Sequence, residues 1–205
     1  MLPFIADMPP IEQERVICSI TAAIKYEIPA NIVLAVAEKE GGRPGQRVLN
    51  SSNGTYDYGP MQINTAYLQD LAKYDITADD VAAPGCYSFD LAAWRIRGHI
   101  LNDSGDLWTR AANYHSRTPR FNAIYRADLM EKASDWADWL EEHFSTVDVT
   151  AQGGATPSGG STTRQVIQEA ANIDSHVDVE NSTERQEGRV NQTYVPRSIT
   201  FHEPD

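Results

Sequence analysis

The chain is short of cysteine, of basic residues and of long apolar runs. It has two cysteines in 205 residues, and 17 Lys+Arg against 29 Asp+Glu give a formal net charge of −12. No stretch of about 18 consecutive apolar residues occurs, so no segment reads as a membrane-spanning helix. The acidic balance argues against a nucleic-acid binder and against a helix lying on anionic lipid, since both normally present a basic face. Cys18 and Cys86 lack metal-ligand spacing, and no metal or cofactor motif is present. They read either as two buried thiols or as one structural disulfide, which would imply an oxidising compartment. The first ten residues, MLPFIADMPP, carry neither a basic n-region nor a long apolar h-region.

What is present suffices for one core of ordinary size. All four Trp, every Phe but Phe201 and every Tyr but Tyr194 precede residue 145. The chain then reads STVDVTAQGGATPSGGSTT and continues polar to Asp205. Residues 151–205 hold four Arg, no Lys and eight Asp+Glu, a net charge of −4. Few groups there can offset ordering entropy by burial. The expected division is therefore a folded domain over 1–145 and a Gly/Ser/Thr-rich linker with a disordered acidic tail over 146–205. A transient helix over Arg164 to Asn172 is the one local exception.

The folded part reads as all-α, with six or so short helices. A periodic run from Ile11 to Tyr26 places Val16, Ile17, Ile20 and Ile24 on one side. Pro29 opens a second helix, ANIVLAVAEKE, which Gly41-Gly42 ends. Asn64 or Thr65 caps a third, reaching Tyr74, and Thr77 starts a fourth. Ser88 to Asn102 and Asp106 to Tyr114 follow. Phe121, Ile124, Tyr125, Leu129, Ala133, Trp136 and Leu140 recur at three- and four-residue spacing along a long last helix. The one extended piece, Val48 to Ile63, reads as a hairpin-like loop.

Glu40, at the end of the second helix, is the most telling residue. Val33, Val36 and Ala37 precede it by seven, four and three positions, which sets it on their apolar stripe. Glu38 lies roughly 200° around the helix. A carboxyl half-buried on an apolar face has its pKa raised by desolvation, and the negative end of the helix dipole acts the same way. Such a group can protonate a leaving group; the alternative is a solvated helix-end glutamate. After it comes NSSNGTYDYGPMQIN, an amide- and tyrosine-rich loop. It suits sugar binding, since aromatic rings stack on pyranose faces and amides bond to hydroxyl and N-acetyl groups. It also reads as an ordinary polar loop anchored by Met61 and Ile63. Later, AANYHSRTPRFNAIY places Asn113, Tyr114, His115 and Ser116 at a helix exit. No third orienting partner accompanies His115 and Ser116, which weakens a Ser–His nucleophile there.

These stretches, in this order, resemble the catalytic domain of the soluble lytic transglycosylases, a goose-lysozyme-like family, and within it the small branch associated with secretion and conjugation systems. The resemblance rests on Glu40, on Ser51 to Asn64, on Cys86, and on Ala112 to Pro119 with Tyr125. It spans about Cys18 to Tyr125. It implies a lysozyme-like helical domain with a substrate groove. It also implies cleavage of the β-1,4 bond between N-acetylmuramic acid and N-acetylglucosamine, with formation of 1,6-anhydromuramyl ends. Glu40 would be the acid and then the base. Gln62 would hold the sugar and Met61 would form groove wall. Tyr114 would sit beside Glu40 and align it or the substrate. Asn113 and Tyr125 would also contact substrate. A Cys18–Cys86 disulfide, a periplasmic location, peptidoglycan strands as substrate and secretion-apparatus proteins as partners are implied too. Gly41 stands where the family usually has Ser, and Pro60 where a small or apolar residue is usual. Asp57 is the rival second carboxylate, its D-x-G setting favouring a turn. A hydrolytic muramidase of the same fold and a non-catalytic wall-binding scaffold are the competing readings.

Overall fold

The structure is a computed structural model describing residues 3–148 and 197–199. Among the described residues it has seven α-helices: α1 (Pro10–Lys25), α2 (Ala30–Glu40), α3 (Thr65–Leu71), α4 (Ala78–Ala82), α5 (Tyr87–Asn102), α6 (Leu107–Ala112) and α7 (Pro119–His143). The all-α expectation holds. The residues that delimit these helices do so by satisfying free backbone groups. Asn64 accepts from the N–H of Ala66, and Asp106 accepts from that of Thr109 at 2.6 Å. Thr77 and Asp80 form a reciprocal capping box. Gly41, at φ 59°, ends α2 in the left-handed conformation, where a Cβ is unfavourable.

Helix α2 is the centre of the domain. Every residue from Ala30 to Ala37 is buried, Ile32 to Ala37 completely. A helix apolar on all sides must be surrounded, and α1, α5 and α7 all pack on it. Each fully buried Ile, Leu or Val there contributes roughly 1.5–3 kcal/mol. Helices α1 and α5 are joined at three levels. Glu14 accepts from the Gly85 N–H at 2.6 Å, Cys18 and Cys86 form a disulfide, and Asp90 accepts from Lys25 and Tyr26. The disulfide resolves the two readings of the cysteines in favour of the bridge.

The loop after α2 is a small antiparallel sheet, β1 (Arg47–Leu49), β2 (Tyr56–Tyr58) and β3 (Ile63–Asn64), in that order. Strands of two or three residues are too short to show alternation, which is why the sequence reads only as a hairpin-like loop. A second pair joins β4 (Thr146–Asp148) to β5 (Arg197–Ile199) antiparallel. The backbone of β5 lies beside α1, α2 and α7, so a piece of the 146–205 segment returns to the domain. The remainder of that segment, with Arg164 to Asn172, lies outside the described residues.

Two apolar stripes run further in sequence than in the core. Phe121 and Ile124 of α7 are exposed, at 52% and 63%, and Ile17 of α1 is exposed as well. Burial on α7 begins with Asn122 and Tyr125, where α6 and α2 meet it. No helix among the described residues is long and apolar enough to cross a membrane.

Candidate active site

The two glutamates at the end of α2 go to different tasks. Glu38 accepts from Lys132 Nζ and from Trp136 Nε1, both at 2.7 Å, and ties α2 to α7. Glu40 is partly exposed and accepts one hydrogen bond, from the hydroxyl of Tyr125 nearer the start of α7, at 2.7 Å. Burial pushes its pKa up to about 7, against the Tyr125 hydrogen bond, which lowers it. The charge of Asp57 raises it further, while Arg95 and Lys39 oppose. A glutamic acid near 7 holds its proton in a large fraction of molecules at neutral pH and ionises readily, which suits a group that gives a proton and then takes one.

The β-sheet loop is locked against the end of α2 by close backbone approach. The Gly42 N–H donates to the Pro60 carbonyl at 3.2 Å. A Cβ on Gly42 would collide with the Gly59 carbonyl, and would lie 2.6 Å from Gln62 Nε2 and 2.9 Å from the Pro60 carbonyl. Gln62 has φ 47°, an unusual conformation for a residue with a side chain, and its amide donates to the Gly59 carbonyl at 2.8 Å. Gly42→Ala is expected to cost about 1–3 kcal/mol by overpacking and to displace Gln62. Urea unfolding with a parallel activity assay checks both parts.

Asp57 is occupied. Its two oxygens accept from Asn64 at 2.7 Å and Asn50 at 2.8 Å, which pins the three strands together. Asp57 lies mid-strand in β2, opposite Val48 and Asn64, so it cross-links the strands and does not form the turn its D-x-G setting suggests. Met61 is completely buried; its side chain packs in the core, and its carbonyl accepts from the Tyr114 hydroxyl at 2.7 Å. The two tyrosines thus divide differently from expectation. Tyr125, not Tyr114, bonds the Glu40 carboxyl, and Tyr114 fixes the Met-Gln loop nearby. Burial raises the pKa of both phenols, so both remain hydrogen-bond donors.

His115 stacks flat on Tyr125, with ring centroids 4.7 Å apart and planes 4° from parallel. Burial lowers its pKa, which favours the neutral ring. The Ser116 hydroxyl accepts from the Thr118 N–H at the start of α7. His115 therefore serves packing, and Ser116 closes a local turn just before α7.

Asn113 is turned toward a neighbouring network. It donates to Asp103 at 2.8 Å and accepts from Asn122 at 2.8 Å. Asp103 is held down to about 2: burial works the other way, and hydrogen bonds from Arg117, Asn113 and His99 outweigh it. A carboxylate lowered in the folded state adds stability above its unfolded pKa, near 4, that is lost as pH falls toward 2. Asp103→Asn is expected to cost about 2 kcal/mol at pH 7 and almost nothing near pH 2. Thermal melts across that range measure it.

Sequence reasoning passed over Arg95 and Tyr67. The guanidinium carbon of Arg95 lies 4.1 Å from the Tyr67 ring centroid and 4.9 Å from that of Tyr114. The available signal was a charge on a buried stripe, since Leu91, Ala92, Ile96 and His99 are all buried on α5.

Fold and site together define a helical domain whose central helix delivers one partly shielded carboxyl beside a short, rigid sheet. No protein-family model matches the chain. It is similar to Protein IpgF of Shigella flexneri, 30% identical over 104 residues that cover 51% of this chain and 68% of that protein. Protein IpgF of Shigella sonnei matches with the same identity and coverage. The chain belongs to the IpgF family.

Proposed function

We propose that this protein is a peptidoglycan lytic transglycosylase with Glu40 as its single acid and base. The observation that carries this reading is the state of the carboxyls beside the sheet. Glu40 is desolvated, raised to about 7 and oriented by Tyr125, while both oxygens of Asp57 are bonded to asparagine amides. Two-carboxylate hydrolysis needs a second group free to attack or to activate water. Transglycosylation needs one. In this scheme Glu40 gives its proton to the glycosidic oxygen as the bond from muramyl C1 to that oxygen breaks. The substrate's own 2-acetamido group stabilises the cationic centre. The Glu40 carboxylate then takes the proton of the muramyl C6 hydroxyl, and O6 bonds to C1 to close the 1,6-anhydro ring. No water enters.

Gln62, at the mouth of the loop, holds the sugar. Met61 and Tyr114 act behind it by fixing that loop. The Cys18–Cys86 bridge fits an oxidising compartment, and a periplasmic enzyme opening the wall for a secretion or conjugation apparatus follows from the sequence resemblance. Digestion of purified sacculi tests the reaction. Mass spectrometry should find anhydromuropeptides; reducing muramyl ends would establish a hydrolase instead, and no release at all would favour a wall-binding scaffold.

A further inference from the structure

We infer that Arg95 forms a carboxylate-binding subsite near Glu40, reading the acidic substituent that a muramyl residue carries and a plain N-acetylglucosamine residue lacks. This rests on the reading of the protein as a peptidoglycan glycosidase.

Arg95 is partly exposed, and its guanidinium lies against the faces of Tyr67 and Tyr114. Tyr67 comes from α3 and is deeply enough buried to have its pKa raised to about 12; Tyr114 is itself fixed by the Met61 carbonyl. The planar group is therefore held by packing, as a two-pronged contact to a carboxylate requires.

Arg95 makes no ion pair with any described residue, although the protein is strongly acidic. Lys39, next to Glu40 in sequence, pairs with Asp128, and Arg117, which like Arg95 acts on His99, pairs with Asp103; Arg47 of the sheet lies over Tyr56 and Tyr58 but is not among the charges that act on Glu40. Arg95 is also close enough for its charge to act on Glu40, Tyr114 and His115. Its charge favours the ionised form of Glu40, against the burial that keeps the proton on, and with no counter-ion among the described residues it leaves a cation near Glu40 that an anionic substrate group can pair with.

The matching anion has two sources on wall glycan. A peptide-free strand exposes the lactyl carboxylate, and a peptide-bearing strand exposes carboxylates of the stem. Charge-assisted hydrogen bonds contribute enough to change affinity by about 10- to 100-fold.

The test measures binding by calorimetry in the Glu40→Gln background, with and without Arg95→Gln. The probes are chitohexaose, peptide-free glycan strands and peptide-bearing strands. Glu40→Gln should bind a carboxylate-bearing strand at least tenfold more tightly than chitohexaose, and Arg95→Gln should abolish that preference while leaving chitohexaose affinity within about twofold. A preference already complete on peptide-free strands assigns the lactyl carboxylate; one confined to peptide-bearing strands assigns the stem. Arg95→Lys keeps the charge without the fork and should retain only part of the preference, which guards against a folding defect in the glutamine variant. An equal loss on all three probes, or no loss on any, overturns the subsite alone. Failure of the folded Glu40→Gln protein to bind any of the three overturns the glycosidase reading and the subsite with it.

Discussion

Glu40→Gln is expected to fold normally and to cleave wall glycan at least about 10²- to 10⁴-fold more slowly than the parent. The amide keeps the size of the carboxyl, and its oxygen still accepts from Tyr125, so the local geometry survives. What is lost is the proton. Asp57, the carboxylate whose charge acts on Glu40, is held by Asn50 and Asn64 and does not replace it. The same substitution should raise stability at alkaline pH. Glu40 titrates near 7 in the folded protein and near 4.5 as an unperturbed glutamate. The folded state therefore holds the proton more tightly, and stability falls as pH rises through that interval. At pH 8 the buried charge costs up to about 3 kcal/mol, which Gln avoids; below about pH 4.5 the two proteins should unfold alike. Denaturant curves at pH 8 and pH 4.5, beside an assay of released muropeptides, read both effects. A parent-like rate of release would remove Glu40 from the chemistry.

The second large effect belongs to the disulfide. Cys18 and Cys86 are 68 residues apart in sequence, and the bridge encloses α2, the three-stranded sheet and α3 and α4. Closing a loop of that length restricts the unfolded chain by about 4 kcal/mol in the chain-entropy treatment. That is a large fraction of the stability of an ordinary domain. Replacing both cysteines by Ser should lower the urea midpoint accordingly, and reducing agent should shift the parent to the same value. Glu40 and its sheet lie inside the loop while Tyr125 lies outside it, so activity should fall at a temperature well below that of the oxidised protein. A double-serine protein as stable as the parent would show that packing of α1 on α5, with Glu14–Gly85 and Lys25–Asp90, already suffices.

Local chemistry was readable from the sequence wherever one residue decides the outcome. Asn64, Thr77 and Asp106 cap the helices they precede, and Gly41 ends α2. The stripe of Val33, Val36 and Ala37 separates Glu40 from Glu38, and each accepts from a different part of α7. The rest depends on how distant elements cross. Tyr114 and Tyr125 are both aromatic and both near the motif, but the approach of α7 to α2 decides that Tyr125 reaches the carboxyl. Asn113 looks like a substrate amide until α7 brings Asn122 and α5 brings Asp103 to it. The apolar spacing of α7 continues through Phe121 and Ile124 because periodicity marks a face, not where the neighbouring helix begins. Arg95 was hidden for the reverse reason: its stripe is that of the core, and only Tyr67 from α3 and Tyr114 from just after α6 hold its guanidinium at a partly exposed position.

The most direct measurement is the titration of the Glu40 carboxyl itself, followed by ¹³C NMR in protein with labelled glutamate and assigned by comparison with Glu40→Gln. A single carboxyl acting as proton donor at neutral pH requires a midpoint close to 7, displaced by burial. A midpoint near 4.5, in free protein and with glycan bound alike, would contradict it.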